Sequence, residues 1–212
     1  MAEEPRRERP LWVRRVVERA LQSAAIYDLV QRLAGEEFFS QRLARHLDEW
    51  AADSRVLDIG GGTGLARQGI RSRGYVCLDL DSAKLRRFRA NWPRGLAVAA
   101  DATACPLLDA TFDRVLCAKV VHHLDDLQLQ AMFAEIARVL KPGGMLILAD
   151  AIRSRRWIPR LLWYLDRGSF PRTEAEMHRA LSGGYSPAEC EQFRLGLFHD
   201  VVLCSARRVT RP

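Results

Sequence analysis

The sequence predicts an α/β fold, a mostly parallel sheet between two layers of helices, and three observations point to it. Short apolar runs at Arg55–Ile59, Tyr75–Leu78, Leu96–Ala100, Arg114–Ala118 and Met145–Ala149 have the length of buried strands. Helix-compatible segments separate most of them, the alternation that builds parallel sheets from strand–helix–strand units. The first run breaks into Gly60-Gly61-Gly62-Thr63-Gly64, four glycines in five positions, just ahead of a segment expected to be helical. Glycine at that density marks backbone that must turn sharply or come close to a ligand. At 212 residues the chain fits one domain with a sizeable core.

Composition narrows the class. Apolar and charged fractions of 48% and 28% belong to a folded globular chain rather than a disordered one. No run reaches the ~18 apolar residues of a membrane span, and the N-terminus lacks the apolar core of a signal peptide, so the expected location is cytoplasmic. Cysteines 77, 105, 117, 190 and 204 form no C-x-x-C pair and are expected as buried thiols of a reducing compartment, with no metal site. The formal net charge of +7 and the clusters Arg6-Arg7-Arg9, Arg86-Arg87-Arg89 and Arg153-Arg155-Arg156-Arg160 raise nucleic acid as a partner. Only Lys84, Lys119 and Lys141 among the 33 basic residues are lysines, and the arginines are scattered, so a solvated surface is preferred.

In chain order, Leu11–Trp50 is helix-like, interrupted at Gly35, and carries Tyr27, Phe38 and Phe39. The first strand closes on Asp58 and the glycine turn, where amides and the positive end of a following helix are expected to converge on a polar ligand. The second strand reaches Asp79, nineteen residues after Gly60, near the spacing at which an acid accepts hydrogen bonds from a ribose diol. The third ends at Asp101-Ala102. A lone strand-end aspartate is usually a helix cap, but three of them beside a glycine loop favour a ligand. After the fourth strand come Ala118, Lys119 and the pair His122-His123. Met132, Ile136, Val139 and Leu140 then fall on one helix face, and Pro142-Gly143-Gly144 stops that helix before the fifth strand. Beyond it, Trp157, Leu161, Tyr164 and Leu165 repeat at helical spacing within an insertion, and Glu191–Leu195 and His199–Ala206 read as a final pair of strands around Gly196.

The spacing of the loop selects among nucleotide sites. A dinucleotide fingerprint needs glycine at position 65 or 67, which are Leu65 and Arg67, and no Gly-Lys pair exists for a phosphate loop. What remains, Asp58-x-Gly60-x-Gly62-x-Gly64, resembles motif I of the class I S-adenosylmethionine-dependent methyltransferases. Phe112-Asp113, Val120-Val121-His122-His123-Leu124 and Arg138-Val139-Leu140-Lys141-Pro142-Gly143-Gly144 resemble later motifs of the small-molecule members, among them the quinone-biosynthesis C-methyltransferases. The resemblance covers about residues 55–150.

That resemblance implies a seven-stranded, mostly parallel sheet in a three-layer sandwich, its last strand pair antiparallel. It implies an N-terminal helical cap over residues 1–50, a methyltransferase domain over 51–212, and a substrate lid inserted at 151–187. It implies S-adenosylmethionine as cofactor and S-adenosylhomocysteine as product. By carry-over, Asp58 and carbonyls near Gly60 and Ala118 hold the methionine ammonium, with Gly61, Gly62 and Gly64 completing the loop. Asp79 takes the ribose, Leu80 packs on adenine, and Asp101-Ala102 meets its amino edge.

Methyl transfer needs few catalytic groups, because the cofactor brings the reactive carbon and the protein mainly positions and sometimes deprotonates the acceptor. His123 and His122 are the candidate bases, since they follow the fourth strand and imidazole titrates near neutrality. Lys119 is the candidate for orienting an anionic acceptor. Tyr27, Trp157 and Tyr164 are expected to line the acceptor site, and the flanking arginines also allow peripheral membrane contact. No Asn/Asp-Pro-Pro-Tyr/Phe tetrapeptide and no Pro-Cys pair occurs, which counts against planar-nitrogen and cytosine C5 acceptors. The expected function is methylation of a small aromatic or amphipathic acceptor. The rivals are an RNA methyltransferase and an S-adenosylmethionine-binding protein without turnover.

Overall fold

In the computed structural model, which describes residues 36–47, 52–154, 170–195 and 199–209, helix α1 (Glu36–Leu47) precedes strand β1 (Arg55–Ile59). Then follow β2 (Gly74–Asp79), α2 (Ser82–Asn91), β3 (Leu96–Ala99), β4 (Phe112–Ala118), α3 (Asp126–Val139), β5 (Leu140–Ile152), α4 (Glu174–Ser182), β6 (Tyr185–Leu195) and β7 (His199–Arg208). The strands form one seven-stranded sheet in the order β3-β2-β1-β4-β5-β7-β6. Strands β1 to β5 run parallel, and β7 lies antiparallel between β5 and β6. The expected architecture is the one observed, with the antiparallel end at β7.

Period-two alternation splits the core across the sheet. Leu57, Ile59, Val115, Cys117, Leu146 and Leu148 face α3 and α4, whereas Val56, Cys77, Leu116 and Ile147 face α1 and α2. Central β1 buries Val56 through Ile59 on both faces, which is why it reads as a continuous apolar run broken only by Asp58. Capping sets where the helices begin. The Asp81 carboxylate accepts from the Ala83 and Lys84 amides, and Asp125 with Gln128, like Thr173 with Glu176, forms a reciprocal capping box. Helix α3 buries Leu129, Met132, Phe133, Ile136 and Val139 and ends at Val139; Pro142-Gly143-Gly144, expected between the helix and the fifth strand, lies within β5, which begins at Leu140.

The structure corrects several expectations. No α-helix follows the glycine loop; a four-residue 3-10 turn at Ala66–Gly69 stands there, so no helix dipole supports the loop. Strand β6 begins at Tyr185, and with α4 it fills the C-terminal part of the expected insertion. The described part of the N-terminal segment, α1, packs Phe39, Leu43 and Leu47 into the same core as Val56 and Ile70. Cys190 and Cys204, expected as thiols, are a disulfide, because pairing of β6 with β7 makes them direct cross-strand neighbours with Cα atoms 4.1 Å apart. Cys77, Cys105 and Cys117 are buried thiols, and burial pushes Cys77 up to about 12 and Cys105 up to about 11. Tyr27, Trp157, Leu161, Tyr164, Leu165 and Gly196 lie outside the described residues. No helix among the described residues is long and apolar enough to cross a membrane.

Candidate functional site

Strand order reverses at β1, which has β2 on one side and β4 on the other, so a crevice opens beyond the carboxyl ends of β1 and β4. The loops leaving these strands meet there. A Cβ on Gly60 would collide with Val120 Cγ2, and φ at Gly60 is +69°, so both space and backbone demand glycine. At Gly61 a Cβ would sit 2.8 Å from Asp58 Oδ2 and from Cys77 Sγ.

The loop amides are engaged by the protein itself. Gly60 and Gly61 N–H donate to the Leu78 carbonyl at 2.7 and 3.2 Å, Gly64 donates to Gly61 at 2.9 Å, and Gly62 donates to Asp79 Oδ2 at 2.9 Å. The expected convergence of free amides is therefore replaced by a loop pinned to the end of β2. That pinning holds Asp79, 7% exposed, beside Gly62, with its Oδ1 accepting from the Asp81 amide at 2.8 Å. A Cβ at Gly62 would stand 3.8 Å from Asp79 Oδ2, an ordinary contact, so it is the φ of +55° that calls for glycine there. Leu80 follows with its side chain exposed. Asp101 Oδ1 accepts from the Thr103 amide and hydroxyl, both at 2.8 Å, leaving Oδ2 available on an exposed residue, with half-buried Ala102 beside it. These residues fit an adenosine group: an acid with spare lone pairs, an apolar shelf, and backbone that tolerates close approach.

Asp58 lies beneath the loop. It is 2% exposed and accepts a hydrogen bond from the Tyr75 hydroxyl. Burial pushes its carboxyl up to about 7, against the opposing Tyr75 bond and with a smaller contribution from Asp79. The neighbours of the Asp58 side chain are Tyr75, Cys77 and the underside of Gly61.

The second half of the site follows β4. Ala118 pairs with Ala149 at the sheet edge, and Lys119 holds φ at 61°, a conformation costing about 1–3 kcal/mol for a residue with a side chain. Its amide donates to the Ala149 carbonyl at 2.8 Å, and its ammonium stands 4.4 Å from the centroid of the Phe39 ring on α1. A 3-10 turn, Val121–His123, comes next. His122 Nδ1 lies 2.6 Å from Asp150 Oδ1, and Asp150 is fully buried at the end of β5. The other oxygen of Asp150 accepts the Val121 amide at 2.6 Å, and Oδ1 also accepts the Ala151 amide at 2.7 Å. An aspartate fixed in this way holds Nδ1 as the protonated nitrogen and makes Nε2 the acceptor. His123 is exposed, its ring centroid 3.9 Å from that of His122.

Arg172 completes the turn. Its guanidinium donates to the carbonyls of Val121 (3.0 Å) and Leu124 (2.9 Å) and to Asp126 (2.7 Å), while the Phe170 amide donates to the His122 carbonyl at 3.1 Å. Sequence reasoning missed Asp150 and Arg172. Asp150 had the signal already applied to Asp79 and Asp101, an acid immediately after a strand run; Arg172 had none among so many arginines.

Comparison with known proteins agrees with this geometry. Residues 57–148 match the family described as a methyltransferase domain. An uncharacterised methyltransferase of Synechocystis is 33% identical over 140 residues, covering 63% of this chain and 66% of its own length. The demethylmenaquinone methyltransferase of Corynebacterium urealyticum is 32% identical over 126 residues, covering 59% of this chain and 53% of its own. The chain thus spans about half to two thirds of the length of such relatives. Among solved structures, the geranyl diphosphate C-methyltransferase of Streptomyces coelicolor, in complex with S-adenosylhomocysteine, superposes with a TM-score of 0.66 at 16% identity, covering 82% of this chain and 81% of its own. Over its central strands the chain thus matches the methyltransferase domain family, and its whole sheet has the fold of methyltransferases such as the one solved with S-adenosylhomocysteine.

Proposed function

We propose that the chain transfers a methyl group from S-adenosylmethionine to a small aromatic or amphipathic acceptor, with His122 as general base. The observation that carries this reading is the meeting, at one sheet edge, of the Gly60–Gly64 loop, Asp79 and an aspartate-oriented histidine. The cofactor supplies a methyl carbon made electrophilic by its sulfonium. The chain supplies the rest. Asp79 accepts the ribose hydroxyls, Leu80 and Asp101-Ala102 border the adenine, and the backbone of Gly60, Gly61, Gly62, Gly64 and Ala118 lines the methionine end. His122 Nε2 takes the acceptor's proton, and the buried Asp150 carboxylate stabilises the imidazolium formed. Relatives named for demethylmenaquinone and geranyl diphosphate support an amphipathic acceptor. Residues 1–50 and 151–187, with Tyr27, Trp157, Tyr164 and Lys119, are the parts proposed to enclose it.

Calorimetry tests the cofactor half. Wild type binds S-adenosylmethionine, and Asp79→Ala weakens binding about 10- to 100-fold, the loss of about 1.5–3 kcal/mol expected for hydrogen bonds to a charged group. Absence of binding by wild type, or undiminished binding by the variant, overturns the reading. Release of S-adenosylhomocysteine, screened over phenols, quinols, amines and thiols, tests turnover. Binding without release from any acceptor class would leave a cofactor-binding protein instead.

A further inference from the structure

Away from the cleft, α4, β6 and β7 bring three ligating side chains together. Cys190 and Cys204 are bonded across the two strands, and His178 on α4 turns Nδ1 to 4.0 Å from Cys190 Sγ. The donor atoms of the three residues all lie within 4.8 Å of one another. Nε2 of the same ring faces Glu174 Oε1 at 3.8 Å. Cys204 is wholly buried, whereas Cys190 and His178 are half-buried, so the cluster is shielded yet reachable from solvent.

We propose that Cys190, Cys204 and His178 form a binding site for a soft divalent cation of the Zn2+ type when the cystine is reduced. Two thiolates and an imidazole are a donor set that such ions prefer over Mg2+ or Ca2+. A tetrahedral zinc ion, with Zn–S of about 2.3 Å and Zn–N of about 2.0 Å, needs its donors about 3.5–3.8 Å apart. His178 Nδ1 already lies 4.0 Å from Cys190 Sγ, with all three atoms within 4.8 Å of one another, so the main movement required is separation of the two bonded sulfurs. That separation is local to β6 and β7, the strand pair at one end of the sheet. Glu174 stands where a carboxylate would hold Nε2 protonated and leave the Nδ1 lone pair for the metal. Three protein donors leave the fourth position to water.

The chemistry balances with a dithiol as reductant. Two electrons and two protons pass to the sulfur–sulfur bond, giving two thiols, while the dithiol closes to its own disulfide. Cation binding then releases the two thiol protons to solvent. The disulfide and the metal site are therefore exclusive states of one pair. Cys77, Cys105 and Cys117 do not compete, since they are buried singly in the core with thiols raised by burial.

Cobalt spectroscopy on the whole chain tests this, after reduction with dithiothreitol and its removal without air. One equivalent of Co2+ gives sulfur-to-cobalt charge transfer and the visible bands of a tetrahedral site, and Zn2+ displaces it. Cys190→Ser and Cys204→Ser each abolish the charge transfer, Cys105→Ser leaves it intact, and Glu174→Gln weakens affinity about tenfold or more. Cys190 is half-buried at the sheet edge, so its serine variant keeps the test meaningful if Cys204→Ser does not fold. The proposal is overturned if the reduced chain shows no charge transfer, if the bands persist in Cys190→Ser, or if the pair cannot be reduced while the chain stays folded.

Discussion

His122 and His123 are adjacent in sequence; His122 holds a buried carboxylate at 2.6 Å, whereas His123 is exposed, its ring tilted against that of its neighbour. A general base contributes about 10²–10⁴ to rate. His122→Ala is therefore expected to lower kcat by that range while S-adenosylhomocysteine affinity, measured by calorimetry, changes little. Asp150→Asn should reproduce most of the loss and change the pH dependence of kcat, a readout that simple loss of packing does not move. His123→Ala should cost far less, and an equal loss would return the base assignment to His123. Asp58 gives a second expectation, on stability. Its carboxyl is pushed from 3.8 to about 7 by burial, so between these values the unfolded chain has ionised and the folded chain still holds the proton. The unfolded state then binds fewer protons, and stability falls as pH rises from about 4 to about 7, by up to about 4 kcal/mol. Asp58→Asn removes the titration and keeps an acceptor for Tyr75. Urea unfolding of the ligand-free chain at pH 5 and pH 8 should show a pH-dependent loss in wild type that is smaller in the variant, and equal slopes would mean the raised proton affinity is not there.

At the scale of elements, the chain returning through Phe170–Thr173 is clamped onto the turn that carries His122. Arg172 satisfies the Val121 and Leu124 carbonyls and pairs with Asp126, while the Phe170 amide reaches the His122 carbonyl. Arg172→Met leaves these acceptors without their guanidinium and should destabilise by about 1–3 kcal/mol. If the clamp also sets the turn, kcat falls with S-adenosylhomocysteine affinity preserved; an unchanged kcat in the folded variant would make Arg172 purely structural. The same elements show what a sequence can and cannot convey. Strands β1, β2, β4 and β5 were legible because extensive burial leaves nearly continuous apolar runs, whereas β3, an edge strand with no buried residue, was legible from its apolar composition alone; Asp79 and Asp101 were legible because strand ends in a parallel sheet face the ligand edge. The 3-10 turn at Ala66–Gly69 was not legible, since periodicity is silent over four residues. Nor was the Cys190–Cys204 pairing, which depends on the register of β6 against β7, a property of two strands rather than of either.

For the whole molecule, the formal charge of +7 invites a polyanion, but many arginines have local partners. Arg42 pairs with Glu191, Arg138 with Glu135 and Asp109, and Arg172 with Asp126, so charge here supports the fold as much as any surface. The loop, Asp79 and the His122 turn hang from β1, β2, β4 and β5, adjacent strands of one sheet whose two faces hold the two halves of the core. A ligand bridging these strand ends is therefore linked to global unfolding rather than to the fraying of one loop. At 100 times its Kd, such a ligand stabilises by about 2.7 kcal/mol, and for a chain of this size that raises Tm by about 5–10 °C. S-adenosylhomocysteine should produce this shift in wild type, and in Asp79→Ala, with Kd raised about 10- to 100-fold, the shift should fall to about half or less at the same concentration. Single-stranded RNA in place of the cofactor product should give none at physiological salt, because non-specific association at Kd of about 10⁻⁴–10⁻⁶ M selects no folded site. A shift by RNA that collapses steeply with added salt would instead favour a nucleic-acid acceptor, and a shift by S-adenosylhomocysteine that is undiminished in Asp79→Ala would move the cofactor away from the edge of β2.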